Sequence, residues 1–167
     1  MIFYLSKPYY WFLGGLVMIN KYEFSKGTLA IVPNDEESSL VLEDNERYII
    51  QNTPFQIMEE SRRYFGSSYQ GRKDGAKAIL GAEYKVPIVI EDSSNLIAFP
   101  TTSPFASDCC WISLNRVYNI YKIDNFNTRI VFDNSEEIIV PCSFRSVENQ
   151  MSRAARLNLV LKNRKNS

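Results

Sequence analysis

The chain has 167 residues, 45% hydrophobic and 13% aromatic, enough to bury one sizeable core and too few for two independent domains. It has no histidine, which removes Ser-His-Asp and Cys-His nucleophile arrangements and the commonest metal ligand. Formal net charge is zero, yet residues 34–60 carry eight acids and one base, 61–85 six bases and two acids, and 145–167 six bases and one acid, so the two basic tracts can form one face with acid elsewhere.

The first eighteen residues, MIFYLSKPYYWFLGGLVM, are the most apolar part of the chain. Lys7 and Pro8 split them, leaving about ten apolar residues in the longer run where a bilayer span needs roughly 20. They lack the basic start and small-residue cleavage site of a secretory signal. Interfacial anchoring through Tyr9, Tyr10 and Trp11 is one reading. The plainer one is adopted: residues 1–17 are an apolar extension outside the natural product, and the domain is 18–167, starting at Met18.

Beyond Met18 the chain reads as short strands with two helices. Thr28–Val32 and Ser39–Leu42 are β-rich runs around the acidic turn Pro33–Glu37, and Arg47–Gln51 pairs next. Thr53-Pro-Phe-Gln56 then starts a helix: threonine caps, proline suits the first helical position, and Gln56 completes a capping box. Phe55, Met58 and Phe65 supply the buried stripe with Ile57 and Tyr64 flanking, and Gly66 supplies the stop. After a loop, Val86–Ile90 and Leu96–Phe99 form strands around Glu91–Asn95. Cys110–Ser113 and Val117–Ile120 follow, then Thr128–Phe132 and Glu136–Val140, a strong hairpin pattern around Asp133-Asn-Ser135. A last helix runs from about Ser146 to Asn163, with Val147, Met151, Ala154 and Leu161 on one face, Arg153 and Arg156 pointing away, and Leu159 and Val160 off the stripe. The expected fold is α+β: a single domain of mostly antiparallel β-strands, with a helix near 53–65 and a C-terminal helix near 146–163.

Cys109, Cys110 and Cys142 are odd in number and form no CxxC pair, so they read as small buried hydrophobes in a cytoplasmic protein. No metal site and no cofactor are expected. The carboxylate pairs Glu36/Glu37, Glu59/Glu60, Glu91/Asp92 and Glu136/Glu137 read as turn and surface residues, because adjacent side chains on a helix or strand diverge.

The stretch Gly66-Ser-Ser-Tyr-Gln-Gly-Arg-Lys73 approaches the phosphate-binding pattern GxxxxGK[ST], but Arg72 stands where the lysine belongs and Lys73 where the magnesium-binding hydroxyl belongs. A helix precedes it where a strand should, and the strands do not alternate with helices. Neither NTPase activity nor a small-molecule substrate is expected. Arg62 and Arg63 have an ordinary explanation in the helix dipole, and Glu59 pairs with Arg63 at i,i+4. The loop suits a different phosphate. Ser67, Ser68, Tyr69 and Gln70 lie between two glycines with Arg72 and Lys73 at once after them, a composition fitted to a narrow DNA groove, with Lys73 and Lys77 on phosphates.

Ser61-Arg-Arg-Tyr-Phe-Gly-Ser-Ser-Tyr-Gln-Gly-Arg-Lys73 resembles the signature of the ComK family of competence transcription factors. The likeness continues through Pro87–Ile90, Phe99-Pro-Thr101, Trp111-Ile-Ser113, Pro141 and Ser146-Val-Glu-Asn-Gln150, and it covers about Tyr22 to Leu161. The resemblance implies a sequence-specific activator of DNA-uptake genes that reads paired A/T-rich boxes, chiefly through the minor groove, bends the DNA, and acts as a homodimer or homotetramer on the nucleoid, with RNA polymerase as a further partner. It carries DNA contact onto Arg62, Arg63, Ser67, Ser68, Tyr69, Arg72 and Lys73, and Lys77 joins them on charge. Family members continue into a tail bound by a Clp-protease adaptor. This chain stops at Ser167, so adaptor control is not expected. The alternative is a single-stranded nucleic-acid or protein-binding β-module that stacks on Tyr64, Tyr69 and Trp111.

Overall fold

The structure is a computed structural model and describes residues 16–19, 21–63, 69–81 and 84–167. Strands β1 (Leu16–Ile19), β2 (Thr28–Pro33), β3 (Ser39–Glu43) and β4 (Arg47–Ile50) lead into helices α1 (Pro54–Arg63) and α2 (Tyr69–Leu80). Strands β5 (Ile88–Glu91), β6 (Leu96–Pro100), β7 (Trp111–Ser113), β8 (Val117–Lys122), β9 (Thr128–Phe132) and β10 (Glu137–Val140) follow, and α3 (Phe144–Lys165) closes the chain. Seven strands form one sheet in the order β1-β4-β3-β2-β7-β6-β5, and three form a second in the order β10-β9-β8. Every pairing is antiparallel except β1 on β4. The α+β single-domain expectation therefore holds.

Both faces of the larger sheet are covered, which explains why β2, β5, β6 and β7 read as nearly unbroken apolar runs. Strand alternation sends Leu40, Leu42, Ile97, Phe99 and Ile112 into one cluster, shared with Ile130, Phe132, Ile138 and Val140 of the smaller sheet and Val147, Ala154 and Leu157 of α3. The intervening Val41, Leu96, Ala98 and Trp111 enter the other, with Ile57 and Met58 of α1 and Tyr22 and Phe24. A bulge between Thr28 and Ala30 accounts for Leu29 and Ala30 both joining the first cluster.

The caps form as their chemistry dictates. Thr53 N–H donates to Gln56 Oε1 at 2.9 Å and Gln56 N–H to Thr53 Oγ1 at 3.2 Å, the reciprocal capping box. The α1 stripe differs from expectation: Ile57 is fully buried beside Met58, while Phe55 is half-buried, and Tyr64, Phe65 and the stop at Gly66 lie outside the described residues. Ser143 caps α3, accepting from Ser146 N–H at 3.3 Å.

Two further corrections concern the helices. Residues 69–80 form α2, where the sequence reads as a loop. Gly81 ends that helix at φ 63°, its N–H bonded to Lys77 O at 2.8 Å. On α3 the buried residues are Val147, Gln150, Ala154 and Leu157; Met151 and Leu161 are only partly buried, and Arg153 does not point away. Strand β1, which the sequence reading did not include, runs parallel to β4 with Leu16 opposite Arg47 and Ile19 opposite Ile50.

Polar clamps join the layers. Arg116 Nε donates to both Asp133 carboxylate oxygens at 3.0 Å, and Arg116 Nη1 to Asp44 Oδ2 and Lys26 O at 3.1 Å. Asn134 Nδ2 adds a bond to Asp44 O at 3.2 Å, and Arg47 pairs with Glu136 at 2.5 Å. The turns of the two sheets are thereby held side by side.

Candidate nucleic-acid interface

The basic-aromatic stretch is carried by two helices on opposite sides of the larger sheet. The core residues of α1 belong to one cluster and Ala76 of α2 to the other, and residues 64–68 connect the two helices in sequence. Ser67 and Ser68 lie in that connection, outside the described residues. Arg62 and Arg63 end α1; Tyr69 opens α2 and Arg72 sits in its first turn, and for these four the structure describes the backbone position only. Lys73 and Lys77 are half-exposed and one turn apart.

Helix α2 forms because its apolar residues meet the core. Ala76 is buried, and Ile79 and Leu80, three and four residues on, pack against the same cluster. Gly71, Gly75 and Ala78 face outward beside the exposed Asp74, and a Cβ built on Gly75 meets nothing within 4 Å. The helix has no acid in its first turn, and it carries Arg72, Lys73 and Lys77 against Asp74. It packs against α3, so the two basic tracts adjoin.

The motif at Ser146–Gln150 has a positioning role. Gln150 is buried; its Nε2 donates to Lys85 O at 2.5 Å and Pro100 O at 2.9 Å. Its Oε1 accepts from Arg153 Nη1 at 3.1 Å, and the same Nη1 donates to Tyr84 O at 3.1 Å. Lys85 is held at φ 52°, a backbone state that bulky residues rarely adopt. Helix α3 thus grips the chain that leaves α2, and Arg153 is half-buried for that purpose. Sequence reasoning missed this pair, although a glutamine at position i beside an arginine at i+3 was a visible signal.

Other features are less suited to a polyanion. A groove of about 290 Å³ beside Phe55 and Phe105 is lined by Asp35, Glu36, three prolines and no base. Hydrogen bonds from the Glu37 backbone and the Ser38 side chain hold the Asp35 carboxyl below its ordinary pKa, so it is charged at neutral pH. All three cysteines are buried and free, as expected, and burial pushes the Cys109 thiol up to about 11 and the Cys110 thiol well above its usual value. Among the described residues no cluster could hold a metal ion, and no helix is long and apolar enough to cross a membrane. The stacking alternative loses one platform, because Trp111 is fully buried in the core; Tyr64 lies outside the described residues. Exposed aromatic residues among those described are Tyr84 after α2, Phe105 beside the acidic groove, and Tyr118, Tyr121 and Phe126 on β8 and the turn after it.

A compact α+β domain with a basic helix beside a buried glutamine anchor is what the chain presents, and its relatives show the family. The model of the ComK protein family matches residues 19–166. A protein of Bacillus subtilis (strain 168) named "Competence transcription factor" is 31% identical over 149 residues, covering 87% of this chain and 78% of the relative. The chain belongs to the ComK family, a family of competence transcription factors. No solved structure matches it significantly.

Proposed function

We propose that the protein is a sequence-specific activator of DNA-uptake genes that binds A/T-rich duplex through the minor groove, using the α1–α2 region as its contact surface. The carrying observation is α2: three bases against one acid, Asp74, no acid in the first turn, and outward-facing Gly71, Gly75 and Ala78 that leave the backbone open to close approach. A helix N-terminus without an acidic side chain also favours phosphate there, because its free amides and dipole attract anions. Arg72 would enter the groove, while Lys73, Lys77, Ser67 and Ser68 hold phosphates and Arg62, Arg63 and Tyr69 flank them. The working unit would be a homodimer or homotetramer acting with RNA polymerase on the cytoplasmic nucleoid, with residues 18–167 as its DNA-binding domain and residues 1–17 as an extension outside it.

The test is a titration of full-length protein against an A/T-box duplex, with and without a minor-groove ligand. Tight binding abolished by the ligand is expected. Arg72→Ala should weaken it by about 1–3 kcal/mol without changing the thermal melt. Affinity indifferent both to the ligand and to Arg72→Ala would move the DNA site off α2.

A further inference from the structure

We propose that the acidic groove between the start of α1 and the loop preceding β7 is a docking site for a protein partner, which inserts an arginine flanked by apolar side chains. The groove, about 290 Å³ in volume, has apolar walls in Phe55, Phe105 and three prolines, and among the described residues its charged lining is Asp35 and Glu36 alone. Phe105 is 72% exposed, its ring centre 4.7 Å from that of Phe55 and tilted by 45°. A large ring left in water at the mouth of an apolar cleft marks a surface that gains by being covered.

The chemistry of the walls selects the occupant. Pro33, Pro54 and Pro104 bring no backbone N–H, so an incoming chain cannot pair with them as a strand and recognition falls on side chains. Asp35 and Glu36 are exposed carboxylates, which only accept hydrogen bonds and favour a cation. Arginine satisfies both surfaces, because its guanidinium donates in a planar fork to carboxylates and stacks on an aromatic face. Apolar neighbours in the partner's sequence then cover Phe55 and Phe105.

The site is built before anything binds. In the first wall, Asn34 N–H donates to Ser38 O at 2.9 Å and Glu37 N–H to Asp35 Oδ1 at 2.9 Å, fixing the acidic turn. In the opposite wall, Ala106 N–H donates to Ser103 O at 2.9 Å and Cys109 N–H to Ala106 O at 3.1 Å, so the loop that carries Phe105 is held as two turns. The capping box fixes the start of α1 beneath Phe55. Preformed walls lower the ordering cost of docking. Pro54 and Phe55 open α1 while Arg62 and Arg63 close it, so the groove lies at the other end of α1 from the proposed DNA contacts, and its charge repels a duplex. A partner can therefore be held while DNA is bound.

The test uses full-length protein and two matched sets of end-blocked heptapeptides, degenerate except for a fixed central Arg-Leu or Glu-Leu pair. Amide chemical shifts of Glu36, Ala106 and Ser107 should move with the Arg-Leu set and stay still with the Glu-Leu set. Asp35→Asn with Glu36→Gln keeps the Asp35 Oδ1 acceptor, so the fold and its thermal melt should be unchanged while the apparent dissociation constant rises roughly fivefold or more. Added salt should weaken binding to wild type and leave the double variant almost unaffected. Phe105→Ser, at an exposed position, should weaken binding roughly tenfold without loss of stability. No shift with up to about 1 mM of the Arg-Leu set, equal response to both sets, or equal affinity of wild type and the double variant would overturn the proposal. Movement of the same amides on raising protein concentration alone, or on adding duplex alone, would give the groove to a second copy or to DNA and overturn it as well.

Discussion

Gln150 shows how much one buried side chain can decide. Its amide satisfies two carbonyls from distant parts of the chain, so Gln150→Leu leaves Lys85 O and Pro100 O without that donor and should cost about 1–3 kcal/mol, read as a lower urea midpoint. Glu at the same position should do worse, since a carboxylate accepts where a donor is needed. The cysteines give a second measurement at this scale. With the Cys109 thiol near 11 and Cys110 fully buried, native protein should resist a thiol reagent at neutral pH until it unfolds, and rapid labelling of the folded form would contradict the burial.

At the scale of elements, local chemistry and distant packing divide what could be read in advance. The α1 start was legible because a capping box is complete within four residues, and the β9–β10 hairpin because its turn and its alternating strands are contiguous. Helix α2 was not. Gly71 and Gly75 lower its intrinsic propensity, and its stability rests on Ala76, Ile79 and Leu80 meeting strands and a helix far along the chain. Strand β1 was hidden for the same reason, since its partner β4 lies some thirty residues on. For the candidate site the sequence disclosed which residues carry charge but not that Lys73 and Lys77 stand on a helix. The glycines yield a discriminating prediction. Gly75 points into open space, so Gly75→Ala should stabilise the fold by up to about 1 kcal/mol. If that face of α2 lies against DNA, the added methyl should weaken duplex binding at the same time; a more stable protein with unchanged affinity would show that DNA does not approach there.

For the whole molecule, the pH range of stability is bounded on both sides. Arg116 holds the Asp44 carboxyl below its ordinary value, so this contribution is complete above about pH 4 and is lost as pH falls through the depressed pKa. On the alkaline side the sign reverses. Burial raises the three thiols, and burial with the Glu43 hydrogen bond raises Tyr22, so their contribution is complete below the unfolded values and declines above about pH 8.5 for thiols and about pH 10 for Tyr22. Urea midpoints should form a plateau between these limits, and Arg116→Gln should flatten the acid limb while leaving the alkaline one. A salt series reports the proposed DNA contact separately: Lys73→Ala should reduce the slope of log affinity against log salt by about 1, uniformly across duplex sequences.

The grip of α3 on residues 84 and 85 also makes the C-terminal helix a remote gauge of events on α2. The two helices share one packed wall, and the only chain between α2 and the next strand is the segment that Gln150 and Arg153 hold at its carbonyls. Anything that stiffens α2 should therefore raise the opening free energy of α3. Adding duplex should slow amide hydrogen exchange around Ala154 and Leu157, and Gln150→Leu should uncouple that response even where the duplex still binds.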